Sequence, residues 1–428
     1  MQIEVGRADM PEGTTVSLTS VVKSFSQAFD LISPVLVKHH EQVGYIAARM
    51  ANHLDYSPEQ QLNLFLAGAL HDCGALSLKQ KMDALKFETE TAQQHSETGY
   101  HLLKEFSHFS EAARYIRHHH VHWKEGRGEK YEGKDVAPQS HLLHLADRVA
   151  VLIESEKMVL GQTDSICKKI RSRSGSQFGP QFVKAFIQLA KFESFWLDIV
   201  SSSPLELGCA AIPVTKIELD LQKLNQLSEV FSHLIDFRSS FTATHSTGVA
   251  EAAAVLAQLA GFSQLEAQMM RIAGNLHDLG KLTVPAEILN KPEKLTQQQI
   301  DVIRTHTYYT YRVLEPVSSM KTINRWASYH HERIDGQGYP FHISGEELSL
   351  GARIMAVSDV FTALSEDRPY REGMDRESTM NIITNMANSG ALASQIVSLL
   401  KRNYNQVYNR VCTSQSDAAR KYRQKISS

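Results

Sequence analysis

Asn275-Leu276-His277-Asp278-Leu279-Gly280-Lys281 sets an imidazole and a carboxylate side by side at the end of an apolar stretch, just before a glycine-containing turn. His245 lies upstream of it, and His306, the pair His330-His331 and Asp359 lie downstream. Imidazoles and carboxylates in this number suit borderline divalent metals such as Fe, Mn or Zn, and a carboxylate can bridge two of them. A bare His-Asp pair is common at helix ends. The ordered set is what points to a metal centre.

The elements that must position these residues read as helices, and they occur twice. Ser263-Gln264-Leu265-Glu266 has the form of a capping box and stands 14 residues before His277. Ser57-Pro58-Glu59-Gln60, with proline in the first turn, stands 14 residues before a second pair, His71-Asp72. His245 precedes His277 by 32 residues, and His39 precedes His71 by 32. His306 precedes His330 by 24, as His95 precedes His119-His120. Asp359 follows His330 by 29 residues and Asp147 follows His119 by 28. Ala67-Gly68 and Ala273-Gly274 fall at matching positions before the two His-Asp pairs. Such matched spacing predicts an all-α tandem of two related helical modules. The first keeps a possible ligand set of its own: His39, His71, Asp72, His95, His119, His120 and Asp147.

The expected layout is a lead-in over 1–20, a first module over 21–160, linking helices over 161–215, and a second module with C-terminal helices over 216–428. Arg171 to Pro180 reads as a loop, Phe182 to Ile199 as one amphipathic helix, and about Lys216 to Phe237 as a helix entering the second module. With 45 Lys+Arg against 47 Asp+Glu the net charge is −2, which argues against a nucleic-acid polymer as partner. Four cysteines without a CxxC pair, no signal-peptide pattern and no long apolar run predict a cytoplasmic protein that does not enter a membrane.

Residues 238–373 resemble the HD-GYP phosphodiesterase family. His277-Asp278-Leu279-Gly280-Lys281 is similar to its HDxGK element, and His330-His331-Glu332-Arg333-Ile334-Asp335-Gly336-Gln337-Gly338-Tyr339-Pro340 to the HHE..DG.GYP element. Arg353 with Asp359, then Arg368-Pro369-Tyr370-Arg371, match the segments that follow. The resemblance implies two HD-superfamily domains, the second of HD-GYP type and hydrolysing a cyclic dinucleotide messenger. A degenerate HD module ahead of an HD-GYP module is similar to the V-cGAP-type cyclic GMP-AMP phosphodiesterases, so 3′,3′-cyclic GMP-AMP stands beside cyclic di-GMP as candidate substrate. It further implies that His245, His277 and Asp359 hold one ion, that His306 with His330 and His331 serves another, which of that adjacent pair binds directly staying open, and that Asp278 bridges them. Lys281 would hold the scissile phosphate, with Asp335, Gly338, Tyr339, Pro340, Arg353, Arg368 and Arg371 around the substrate.

Two departures from the family pattern matter. Phe241 stands where three-metal members carry a glutamate, so two divalent ions, Fe or Mn, are expected. Thr362 stands where the family often has an aspartate. In the first module Ala75 replaces the lysine, Gly126-Arg127-Gly128-Glu129-Lys130 replaces the GYP element, and Glu156 and Val159 replace the arginines. That module is expected to regulate or buttress the second across an intramolecular interface. Two alternatives stay open: it dephosphorylates the linear product, or the whole chain is a sensor that binds the messenger without cleaving it. Homodimerisation is likewise left open.

Overall fold

Two capping boxes start the two helices that deliver the His-Asp pairs. Ser57 Oγ accepts from the Gln60 amide at 3.2 Å while the Ser57 amide donates to Gln60 Oε1 at 3.1 Å. Ser263 and Glu266 repeat the arrangement at 3.2 and 2.8 Å. Each box satisfies amides that a helix start leaves without partners, and so fixes where the helix begins. Each helix then ends one residue before its histidine.

The structure is a computed structural model that describes residues 15–30, 38–75, 93–213, 216–238, 244–291, 293–367 and 372–426. The described residues divide into two compact units, Leu18–Ile217 and a second built from the N-terminal strand with Glu218 onward. The first unit comprises α1 (Leu18–Asp30), α2 (His39–His53), α3 (Pro58–Leu70), α4 (Gln93–Leu103), α5 (Ser110–Arg117), α6 (Pro138–Val151), α7 (Thr163–Ser172), α8 (Pro180–Leu189), α9 (Glu193–Ile199) and α10 (Pro204–Ala210). The second comprises α11 (Leu221–Arg238), α12 (His245–Leu259), α13 (Gln264–Leu276), α14 (Gln297–Leu314), α15 (Lys321–Ser328), α16 (Leu350–Ser365), α17 (Arg376–Asn388), α18 (Ser394–Arg402) and α19 (Tyr404–Ile426). The expected all-α architecture is what is found. Strands are confined to the antiparallel pairs Val16–Ser17 with Glu218–Leu219 and Lys130–Tyr131 with Lys134–Asp135 among the described residues.

The helices expected as linkers are part of the first unit. Tyr45 on α2 donates its hydroxyl to Asp198 Oδ2 at 2.8 Å, and its ring packs against Phe195. Leu205 of α10 lies against Gly44, where a Cβ would meet its Cδ1 at 2.7 Å. The expected single helix over 182–199 is two. The break after Ala190 lets Trp196 fold beneath, where its indole N–H donates to the Ala190 carbonyl at 3.0 Å and the ring is fully buried. The buried aromatic outweighs continuity of the helix.

The Ala-Gly pairs have a steric cause. A Cβ on Gly274 would stand 2.4 Å from Ala250 Cα, and one on Gly68 would stand 2.6 Å from Gly44 Cα. In each unit, therefore, the helix ending at the His-Asp pair lies backbone to backbone against the helix that opens with the first histidine. We expect Gly274→Ala to destabilise the protein by about 1–3 kcal/mol through overpacking, read as a lowered thermal midpoint. An unchanged midpoint would contradict this contact.

Candidate metal centres

The second unit gathers its histidines by one repeated device. His277 follows the end of α13, His306 sits within α14 and His330 follows α15. Each has its Nδ1 2.7 Å from the backbone carbonyl three residues upstream: Gly274, Ile303 and Ala327 respectively. A carbonyl only accepts, so Nδ1 carries the proton and donates it, leaving Nε2 with a bare lone pair. The Nε2 atoms of His306 and His330 face one another at 3.2 Å. Two lone pairs at that separation repel unless a cation lies between them. Nε2 of His277 is buried without a hydrogen-bond partner. The donor set therefore fits divalent ions held by neutral imidazole and carboxylate.

Asp278 occupies the middle. Its Oδ1 lies 3.4 Å from His306 Nε2 and 4.0 Å from His330 Nε2, while Oδ2 lies 3.3 Å from His277 Nε2 and pairs with Lys281. On the far side, Asp359 Oδ1 stands 3.2 Å from His245 Nε2 and 3.9 Å from His277 Nε2. The triads His245–His277–Asp359 and His306–His330–His331 each offer ligand atoms within 4.8 Å of one another. His331 is the open member, with a third of its side chain exposed and Nδ1 4.0 Å from Asp359 Oδ2.

Electrostatics follow from burial and these neighbours. Burial holds the His306 imidazole down to about 3, and burial together with His331 holds His330 well below the usual range. Both are thus neutral near pH 7. Burial opposes ionisation of Asp278, yet the adjoining His277 imidazole and Lys281 ammonium hold its carboxyl well below the usual carboxylate range. Burial alone would depress His245, but the carboxylates of Glu366 and Asp359 push it up to about 10.

The loop after His331 is fastened by its own side chains and by Arg353. Asp335, expected at the substrate, accepts from Arg333 at 3.0 and 2.5 Å and from the Gln337 amide at 3.0 Å, which closes the turn. Arg353, likewise expected there, donates to the carbonyls of Leu348, at 2.8 Å, and Gly345. Its guanidinium ties the end of the loop to α16. Gly338 is buried, and a Cβ there would stand 2.4 Å from Glu332 Cα, so its role is close approach. Tyr339 does reach the centre. Its ring centroid lies 4.9 Å from that of His331, with the Arg304 guanidinium 4.5 Å from the Tyr339 centroid, and Pro340 is half-buried beside it. Arg368, Arg371 and Phe241 lie outside the described residues.

Four residues escaped the sequence reading. Buried Glu332 accepts from the amides of Phe341 at 2.7 Å and Ile343 at 3.1 Å, shaping the same loop. Thr310 donates to the His277 carbonyl at 3.0 Å and accepts from the Gly280 amide at 2.9 Å, clamping the His-Asp turn onto α14. Gly280 makes that approach possible, since a Cβ there would collide with the His306 carbonyl at 1.8 Å. Buried Asp236 accepts from the amide and hydroxyl of Ser246 at 3.2 and 2.7 Å, nine residues before His245. Glu366 stands behind His245 at 3.0 Å. Only Asp236 left a sequence signal, because Asp30 stands nine residues before His39 and pairs with His40.

The first unit repeats the centre. His71 and His119 donate Nδ1–H to the carbonyls of Gly68 and Ile116 at 2.9 and 2.7 Å. Nε2 of His39 lies 3.3 Å from that of His71, and Nε2 of His120 lies 3.0 Å from that of His95. Asp72 Oδ1 is 3.0 Å from His95 Nε2 and 3.7 Å from His119 Nε2. Asp147 Oδ1 is 3.4 Å from His39 Nε2, but Oδ2 is engaged by the buried Arg148 at 2.6 Å. The second unit has Val360 in place of Arg148 and Lys281 in place of the buried Ala75.

Two helical units, each with a buried His/Asp cluster built on a His-Asp turn, define a duplicated HD protein. The HD domain family model matches residues 23–181 and 229–395, and the chain belongs to that family. The chain is 30% identical over 405 residues to the 3′3′-cGAMP-specific phosphodiesterase 1 of Vibrio cholerae, covering 92% of this chain and 93% of the relative. It is 41% identical over 146 residues to a cyclic di-GMP phosphodiesterase of Pseudomonas aeruginosa, covering 33% of this chain and 34% of that one. In fold it is similar to the crystal structure of V-cGAP3, a cyclic GMP-AMP-specific phosphodiesterase of V. cholerae, with TM-score 0.63 and 24% identity, over 92% of this chain and 98% of the other.

Thr310→Val removes both clamps at once and strands the Gly280 amide in a buried setting. Leaving one buried donor unmet costs about 1–3 kcal/mol. We expect chemical denaturation to register that loss, together with weaker Mn²⁺ uptake. Wild-type stability in this variant would show that the turn is held by other means.

Proposed function

We propose that the second unit is a metal-dependent phosphodiesterase that opens a cyclic dinucleotide, 3′,3′-cyclic GMP-AMP foremost and cyclic di-GMP beside it, to the linear dinucleotide. The observation that carries this reading is Asp278, whose two carboxylate oxygens face different imidazole groups, Oδ1 toward His306 and His330 and Oδ2 toward His277. Similarity along 92% of the chain to a 3′3′-cGAMP-specific phosphodiesterase supports the substrate class. The two triads would hold two divalent ions, Fe or Mn, with Asp278 within reach of both. Such ions supply Lewis acidity toward a phosphoryl oxygen and make water nucleophilic near neutral pH.

The chain's own groups do the rest. His306 and His330 present neutral Nε2 atoms already aimed inward, so no proton has to leave them. Lys281 sits beside Asp278, placed to neutralise charge that develops on the phosphate as one phosphodiester bond is exchanged for a bond to water. Tyr339 and Arg304 form a wall at the exposed side, next to His331. A sensor that binds without cleaving has no need of paired ligand sets sharing one carboxylate. No helix among the described residues is long and apolar enough to cross a membrane.

The first unit is read as a metal-holding module that does not cleave the cyclic substrate and supports the second across an intramolecular interface. Arg148 occupies one oxygen of Asp147, and Asp147 is 1% exposed where Asp359 is 9% exposed.

Two variants test the catalytic reading by chromatography of the products with Mn²⁺ present. Asp278→Ala abolishes ring opening. Lys281→Ala retains metal and loses turnover by roughly two to three orders of magnitude, as for loss of one charge-stabilising donor. Full activity in Lys281→Ala would displace the phosphate from this position.

A phosphate-release assay on the linear product tests the first unit. No metal-dependent release is expected from the wild type or from Asp72→Ala. Release lost only in Asp72→Ala would make the first unit a second phosphohydrolase.

A further inference from the structure

One imidazole of the second centre is oriented differently from its neighbours. His277, His306 and His330 each follow a helical turn that supplies a carbonyl to Nδ1. His245 is the first residue of α12, so no helical turn precedes it to offer one. Its Nδ1 instead faces Glu366 Oε1 at 3.0 Å, a buried carboxylate just beyond the end of α16. Glu366 Oε2 in turn accepts from Gln415 Nε2 at 3.2 Å, and the same amide lies 3.3 Å from the carbonyl of Thr244, immediately before His245. Gln415 belongs to α19, the last helix of the chain.

Space is kept for this arrangement. A Cβ at Gly248 would come within 2.7 Å of both Gln415 Nε2 and Thr362 Cγ2, so α12 leaves a gap where the glutamine enters. Thr362, on α16, stands one turn before Glu366. The first unit provides an internal control. His39 also opens its helix, but Gln42 stands at the position of Gly248. Glu154, seven residues beyond Asp147 as Glu366 is beyond Asp359, is exposed and pairs with Lys157 at 2.5 Å.

We propose that Glu366, held by Gln415, is a positioning residue that fixes the His245 ring with Nε2 toward Asp359 and strengthens it as a donor, so that the C-terminal helix sets the affinity of the His245–His277–Asp359 ion. A carboxylate against the distal N–H of a ligating histidine fixes its tautomer and raises its basicity, and losing such a partner typically lowers metal affinity 10–100-fold. The inference rests on reading that triad as a metal site. Glu366 touches no substrate in this account and acts only through His245.

The test is a Mn²⁺ titration of the full chain against a competing chelator, with stoichiometry, for wild type, His245→Ala, Glu366→Gln, Glu366→Ala and Gln415→Ala. Glu366→Ala weakens one ion of the second unit by about 10–100-fold, while the ion at His306 and His330 binds as before and reports a folded centre. Glu366→Gln and Gln415→Ala shift in the same direction by less. Turnover in all three recovers as Mn²⁺ is raised, a behaviour that a fold defect would not show. Wild-type affinity for both ions in Glu366→Ala, while His245→Ala loses one, overturns the positioning role alone. Unchanged stoichiometry in His245→Ala overturns the metal reading of the triad and this inference with it.

Discussion

Imidazole nitrogens with their lone pairs turned toward one another are the constraint around which each unit is arranged. A neutral histidine directs its lone pair only if its other nitrogen has an acceptor for the proton. A backbone carbonyl one helical turn upstream is the nearest acceptor available. Hence His277, His330 and His71 sit just past the ends of α13, α15 and α3, and His306 within α14, each with a helical turn ahead of it. The resulting Nε2–Nε2 separations, 3.2 Å in the second unit and 3.0 and 3.3 Å in the first, are unfavourable without a cation. Packing must therefore hold the rings in place, which accounts for the backbone-to-backbone contacts at Gly274 and Gly68 and for the clamp at Thr310.

The two units show how one ligand geometry is put to different uses. Around Asp278 the second unit adds Lys281, and around His331 it adds Tyr339 and Arg304, so the centre has cations and an open side. The first unit keeps the imidazoles but spends one oxygen of Asp147 on Arg148 and has Ala75 where the lysine would be. Charge toward a phosphate is removed and charge toward a ligand is added. The imidazoles thus stay in place while the lysine at the position of Ala75 is gone.

Much of this was legible in the sequence because the ligands are local to helix ends, and helix ends carry short-range signals. Ser57 and Ser263 with their partners three residues on gave the helix starts, and the matched spacings of His39 and His245 gave the duplication. What was illegible is long-range. Glu366 is 121 residues from His245, and nothing in either neighbourhood announces the pairing. The loop-fastening hydrogen bonds of Asp335 and Arg353 were illegible too, because a motif records that a residue is present without saying what it touches. The helices of 161–215 read as linkers because their apolar faces do not reveal which partner they cover. The break at Ala190 depends on where Trp196 comes to lie in three dimensions.

The proposal on which the mechanism depends is that the second unit holds two ions that share Asp278. Anomalous diffraction from crystals grown with Mn²⁺ measures this directly. The account predicts two peaks in that unit, one contacting His245, His277 and Asp359, the other contacting His306, His330 and His331, with Asp278 reaching both. A third peak there, a single peak, or peaks that leave Asp278 uncoordinated would contradict it.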